Sequence, residues 1–466
     1  MTKRALSHWQ KENRIQRISL IAGAVIIVAV LIIVGTGVYA ERYRPLQATV
    51  IKVGDQEYSE DYYINALNFY GSTSYSTFSQ YMSYGDYISQ LTSYVAQQIE
   101  QNQLIIEGAA KLDPPITASD DEVNKSITDQ NVKSNSAVVD IIRAQLVKDK
   151  VQTEYVDKVL VPQTAEQRAV LAMFLESPSQ VSEAKARLDA GESFNDVAAS
   201  LSSEKNSRDK NGDFGWVPKG VLPSILSSAN TTLEDKVFSS DTGVNQLTEV
   251  EDSNQSKDIG YWLLTVTETR DVTTTVTPTP TATGTPTPTP TPTTAITTEK
   301  HLKVMLLPNK EKAAEIKTKL EAGGEGNDWA TLANANSSYN DPDTSTVNGG
   351  DLGFFSKDSL TLGSAVKDVL FPEDVTKALG INKVSDPVAD TSRTTNGGVW
   401  LFKITGIEAN KTVEGDNRKI LVEIQLNSWL EKQWNDNQDR LAVTLTDVQT
   451  QYAVNKAVER YNANAK

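Results

Sequence analysis

Two histidines, His8 and His301, are all the imidazole in a chain of 466 residues, and there is no cysteine. That shortage bounds the chemistry. Without a thiol there is no disulfide, cysteine nucleophile or zinc–thiolate site, and a serine triad lacks its base. Asp209, Asn211 and Asp213, and again Asp341, Asp343 and Ser345, imitate calcium loops. Such a loop needs glycine at its sixth position, where Phe214 and Thr346 stand. No nucleotide fingerprint, Walker loop or histidine-based metal motif occurs, so neither metal nor cofactor is expected. What the chain does offer is a glycine–aspartate turn written twice, NGDFGWVPKG at 211–220 and GGDLGFFSKD at 349–358.

The elements around the turn repeat as well. Residues 165–270 read as strand VLAMFLE, two helices, the turn and a closing strand YWLLTVTE. Residues 299–410 read as LKVMLL, helices KAAEIKTKLEAGG and DWATLAN, the turn and VWLFKITG. Gly212, Asp213, Gly215, Leu222, Gly260 and Trp262 match Gly350, Asp351, Gly353, Leu360, Gly398 and Trp400, every pair 138 residues apart. One offset in one element order marks two copies of a domain. Between them, residues 271–298 are rich in Pro and Thr, which build no core and favour extended polyproline II. Residues 45–162 read as a short strand, a Gly54-Asp55 turn and helices, one stopped at Asp113-Pro114-Pro115 and the next opened by a Ser119/Glu122 capping box. Residues 412–466 carry two amphipathic helices that need a partner, with Trp429 and Val454 among their buried-face candidates.

Ahead of all this, residues 18–38 form a 21-residue apolar run without a charge, preceded by Lys3, Arg4, Lys11, Arg14 and Arg17 against one acid, Glu12. A helix of that length spans the roughly 30 Å hydrocarbon core. The positive-inside bias is expected to place residues 1–17 in the cytoplasm, the single-pass anchor at 18–40 in the cell membrane and the bulk of the chain outside. The rival is a signal peptide cleaved after Val38-Tyr39-Ala40, against which the run is longer than an h-region. The net charge of −15 argues against nucleic acid as a partner, because phosphate contacts need clustered Lys and Arg.

The arrangement resembles the SurA and PrsA group of extracytoplasmic foldases. The resemblance is carried in the flanks by VIKVGDQEYSEDYY, QLIIEGAAKLDPPITASDDEV and WLEKQ. In the repeats it is carried by LDAGESFNDVAASLS, NGDFGWVPKGVLP, GGDLGFFSKDSL, GINKVSDPV and GGVWLFKITG. It implies an α+β fold with a discontinuous helical chaperone domain from both chain ends (45–162 and 412–466) and two parvulin-like domains (165–270 and 299–410). Unfolded or exported polypeptides are the implied partners, with no small-molecule cofactor.

A parvulin-type prolyl isomerase lowers an amide-rotation barrier of about 18–20 kcal/mol, using an apolar proline pocket beside two histidines and no covalent step. The resemblance puts one histidine on the first strand and one on the last, within G-Y-H-I. Here the last strands read Gly260-Tyr261-Trp262-Leu263 and Gly398-Val399-Trp400-Leu401, and the first offer Leu171 or Ala172, and Val304 or Met305. His301 is expected on the solvent side of its strand, so neither copy holds a histidine pair. The pocket positions carry over as Leu222 and Leu360, Ile225 or Leu226, and Ser385. Trp262 and Trp400 are either groove walls or core plugs. The expected function is a chaperone that buries apolar side chains of non-native polypeptides against apolar patches, with isomerase activity weak or lost. The rivals are an active histidine-free isomerase and a stalked envelope protein.

Overall fold

The computed structural model describes residues 45–71, 91–276, 293–340 and 348–464. The expected anchor and the central part of the Pro/Thr linker lie outside the described residues. Among the described residues no helix is long and apolar enough to cross a membrane. The chain divides into two compact units, one of Met1–Pro162 with Leu421–Lys466 and one of Gln163–Ile420.

The first unit opens with a hairpin of β1 (Thr49–Val53) and β2 (Gln56–Ser59). Its turn needs Gly54, whose φ of 58° is left-handed. Ser59 caps α1 (Glu60–Phe69) by accepting from the Tyr62 amide at 3.3 Å. After α2 (Thr92–Ala110), α3 (Asp120–Asp129) begins with the expected capping box: Glu122 donates its amide to Ser119 Oγ and accepts the Ser119 amide at 2.8 Å. Then α4 (Ser136–Lys150) runs on as a π-helical stretch, Val151–Leu160.

The second unit holds both copies of the repeat. The first copy supplies β3 (Thr164–Leu175), α5 (Pro178–Asp189), α6 (Phe194–Leu201), α7 (Lys205–Asp209) and β4 (Asp213–Pro218). It continues with α8 (Leu222–Ile225), α9 (Thr232–Val237), β5 (Leu247–Lys257) and β6 (Gly260–Val276). The second copy supplies β7 (Thr293–Leu307), α10 (Lys310–Ala322), α11 (Trp329–Asn336), β8 (Asp351–Phe355), α12 (Ser364–Leu370), β9 (Val388–Asp390) and β10 (Thr395–Thr412). Past it, α13 (Gly415–Asn435), β11 (Leu441–Val443) and α14 (Asp447–Asn464) complete the described chain. β11 pairs with β1, Ile51 opposite Val443, so the first unit has a three-stranded sheet beside its helices. β2 and β11 are absent from the sequence reading because three or four residues are too few to show a period of two.

The strand pairing departs from the sequence expectation at one decisive place. Each copy was expected to close its sheet with its own last strand. Instead the four-stranded sheets run β4-β3-β10-β5 and β8-β7-β6-β9. Trp400 on β10 lies opposite Phe174 and Val250 of the first copy, and Trp262 on β6 lies opposite Leu306 and Val388 of the second. The closing strands have changed places. Their common pattern, Gly-x-Trp-Leu, lets either fit either sheet. Pairing between neighbours in sequence then favours a β6–β7 ribbon that runs from Tyr261 opposite Leu307 to Val276 opposite Thr293. The ribbon also takes in 271–276 and 293–298, the linker ends, where β-branched Thr and Val without Pro suit a strand.

Candidate functional site

The repeated turn is an Asx turn. Asp213 Oδ1 accepts the Gly215 amide at 2.8 Å and Asp351 Oδ1 accepts the Gly353 amide at 3.0 Å. Gly215 and Gly353 have φ of 63° and 79°, which favours glycine in both copies. The turn therefore sets the start of β4 and β8.

Alternation along β10 and β6 splits each sheet into two faces. The odd face of β10, Val399 and Leu401, packs with Val181, Phe194 and Val197 of α5 and α6. Its equivalent on β6, Tyr261 and Leu263, packs with Ala313, Ile316 and Leu332 of α10 and α11. The opposite faces carry the two tryptophans, both fully buried. Trp400 sits against Phe174 with ring centroids 4.8 Å apart, and Trp262 against Tyr339 at 5.1 Å.

A buried indole N–H needs an acceptor. Trp400 Nε1 donates to Asp252 Oδ2 at 3.1 Å, and Trp262 Nε1 donates to Asp390 Oδ2 at 2.9 Å. Asp252 and Asp390 are themselves 138 residues apart, so each tryptophan bonds the aspartate of the other copy. Asp252 also accepts the Asn254 and Gln255 amides and Asn230 Nδ2. Asp390 accepts the Ser392 amide at 2.9 Å and hydroxyl at 2.6 Å. Burial pushes the Asp390 carboxyl up, but the bonds from Ser392 and Trp262 outweigh it and hold the group below its usual value.

The other pocket candidates are mostly interior. Leu222 is fully buried, and its amide reaches Glu234 Oε1 at 3.2 Å. Leu360 is 2% exposed and shares a core with Trp262, Leu264 and Val304. Ser385 exchanges two bonds with the backbone of Leu264, its amide donating at 2.9 Å and its hydroxyl accepting at 3.0 Å. That serine extends the sheet; it does not face a ligand. Ile225, half-buried on α8, is the one candidate that keeps solvent contact. Between wall and plug, both tryptophans are plugs.

His301 is a correction. The sequence reading left it on the solvent side of its strand, but it is half-buried. Its Nε2 lies 2.9 Å from Asp351 Oδ1, its Nδ1 lies 2.7 Å from Thr267 Oγ1, and its ring stacks on Phe354. It braces the second turn, and among the described residues it has no histidine partner.

Sequence reasoning missed the polar seam where the closing strands cross. Tyr261 Oη donates to Glu176 Oε1 at 3.0 Å, Thr395 Oγ1 donates to Ile259 O at 2.5 Å, and Lys257 Nζ donates to Gly397 O. Burial lowers the Lys257 ammonium to about 8 and raises the Glu176 carboxyl. A lysine at the end of β5 and a glutamate just after β3 were the available signal, since such groups are seldom buried unpaired.

The class of the first copy can now be stated. Residues 141–270 match the family described as PPIC-type PPIASE domain, and the fold that holds them is α+β. The match ends inside β6, the strand that here closes the second sheet. Among curated proteins the chain is similar to the foldase protein PrsA of Geobacillus sp. (strain WCH70), 34% identical over 121 residues. That stretch is 26% of this chain and 37% of the relative, little more than a third of its length. Among solved structures it is similar to the peptidylprolyl isomerase PrsA of Bacillus anthracis, at 12% identity over 78% of this chain and 96% of that one, with a TM-score of 0.20. It is also similar to the foldase protein PrsA of Streptococcus pneumoniae str. Canada MDR_19A, at 15% identity over 89% and 94% of the two chains, with a TM-score of 0.15.

Proposed function

We propose that the chain is a PrsA-like, membrane-anchored extracytoplasmic foldase that acts on unfolded or exported polypeptides chiefly as a chaperone, with prolyl isomerisation weak or lost. One observation carries the second half of this reading: both expected histidine positions on the closing strands hold a buried tryptophan whose N–H is committed to an aspartate. An indole donates one hydrogen bond, accepts none and does not titrate in water. It cannot replace an imidazole that shares or relays a proton. The anchor rests on the apolar run at 18–38 and the basic residues before it.

The test is suppression of aggregation. A reduced, unfolded client diluted into buffer with the full chain in mild detergent is expected to scatter less light than the client with detergent alone. Unchanged scattering at stoichiometric excess would leave the stalk reading standing and remove this one.

A further inference from the structure

The first unit contains a cavity of about 510 Å³ between α2, α4 and α13, within the size range of ligand sites. Its lining is not the apolar surface that a chaperone reading suggests. Of the sixteen described residues around it, seven carry a carboxamide, contributed by all three helices, among them Gln98, Gln145, Asn427 and Gln433. The charged residues in the lining are one lysine and one glutamate, Lys148 and Glu431, so the site is close to neutral. Tyr94 and Trp434 stand half-buried in the wall, while Leu104 and Ile105 are packed away beneath it at 2% and 8% exposed.

A carboxamide offers two donors and an acceptor. The repeating unit it complements is the peptide group, which presents one donor and one acceptor at every residue except proline. Aromatic rings with a polar edge accept varied side chains alongside. We infer that this cavity binds an extended polypeptide segment through its main chain, with little regard to sequence, and does not capture apolar side chains. The inference rests on the foldase reading for its choice of ligand, because saccharide hydroxyls would satisfy the same carboxamides.

The test uses the full chain in detergent and a labelled, unstructured peptide of Ala, Ser and Thr, followed by fluorescence anisotropy. Gln145→Leu combined with Asn427→Leu removes two carboxamides at exposed positions and adds apolar surface. Main-chain recognition predicts binding weakened about tenfold or more, since two hydrogen bonds are lost. Apolar capture predicts tighter binding, and tighter or unchanged binding overturns the inference. Backbone N-methylation of the peptide probes the same contact on the unaltered protein and is expected to weaken binding as strongly; equal affinity overturns it too. Displacement of the peptide by a chitin oligosaccharide at lower concentration than by unlabelled peptide would reassign the site to sugars. If wild type suppresses aggregation while the double variant does so equally well, the cavity inference falls and the foldase reading stands. If wild type neither suppresses aggregation nor binds the peptide, the foldase reading falls.

Discussion

Trp400→Ala and Trp262→Ala are each expected to destabilise the second unit by about 3–5 kcal/mol, the range for deleting a large buried aromatic. Both rings are fully buried, and each truncation also removes a donor from a buried aspartate. The milder Trp→Phe changes separate the two contributions. Trp400→Phe keeps an aromatic ring against Phe174 but removes the bond to Asp252 along with part of the ring's volume, at a cost of about 1–3 kcal/mol for the bond and a smaller cavity cost beside it. These variants also test the crossing of the strands through coupling energies. In a double-mutant cycle Trp400→Phe should couple to Asp252→Ala, while Trp262→Phe should add independently to it. Urea unfolding followed by fluorescence measures all four corners. Coupling of Asp252 to Trp262 instead would show that each copy closes its own sheet.

The second large effect lies in the first unit and depends on pH. Glu60 is 1% exposed, neither carboxylate oxygen has a hydrogen-bond partner among the described residues, and burial raises the group from 4.5 to about 7. Because the folded state holds this proton more tightly than the unfolded chain, its contribution is fully present below pH 4.5. It declines as pH rises and is gone above about pH 7. The size is on the order of 3 kcal/mol at one pKa unit per 1.36 kcal/mol. Glu100, 6% exposed and raised to about 6 by burial, adds a smaller slope of the same sign. Glu60→Gln is neutral at every pH, so it should leave stability nearly unchanged in acid and raise it above neutrality. Urea midpoints of wild type and variant at both ends of the window check this. A wild-type slope that survives the substitution undiminished would show that Glu60 is solvated.

Which parts of this were legible in the sequence follows from how local each signal is. The capping box at Ser119, helix α6 and the doubled Gly-Asp turn depend on residues within a few positions of one another, and they stand where the pattern put them. The strand crossing was illegible for a definite reason. Gly260-Tyr261-Trp262-Leu263 and Gly398-Val399-Trp400-Leu401 present the same alternation to either sheet, so no local pattern selects between them. Asp252 and Asp390 obey the repeat offset, but in EDSNQ and ADTSR they read as polar turn residues until an indole is placed over each. Most of the pocket candidates are buried, Trp262 and Trp400 fully so, because a tryptophan large enough to wall a cleft is also large enough to fill it.

The most direct test of the account is the cis–trans relaxation of a proline tetrapeptide in the presence of the full chain. With tryptophan at both of these strand positions, relaxation should stay close to its uncatalysed pace of tens to hundreds of seconds at 25 °C, with at most a weak dependence on protein concentration. A rate that climbs many-fold and in proportion to added protein would contradict the account.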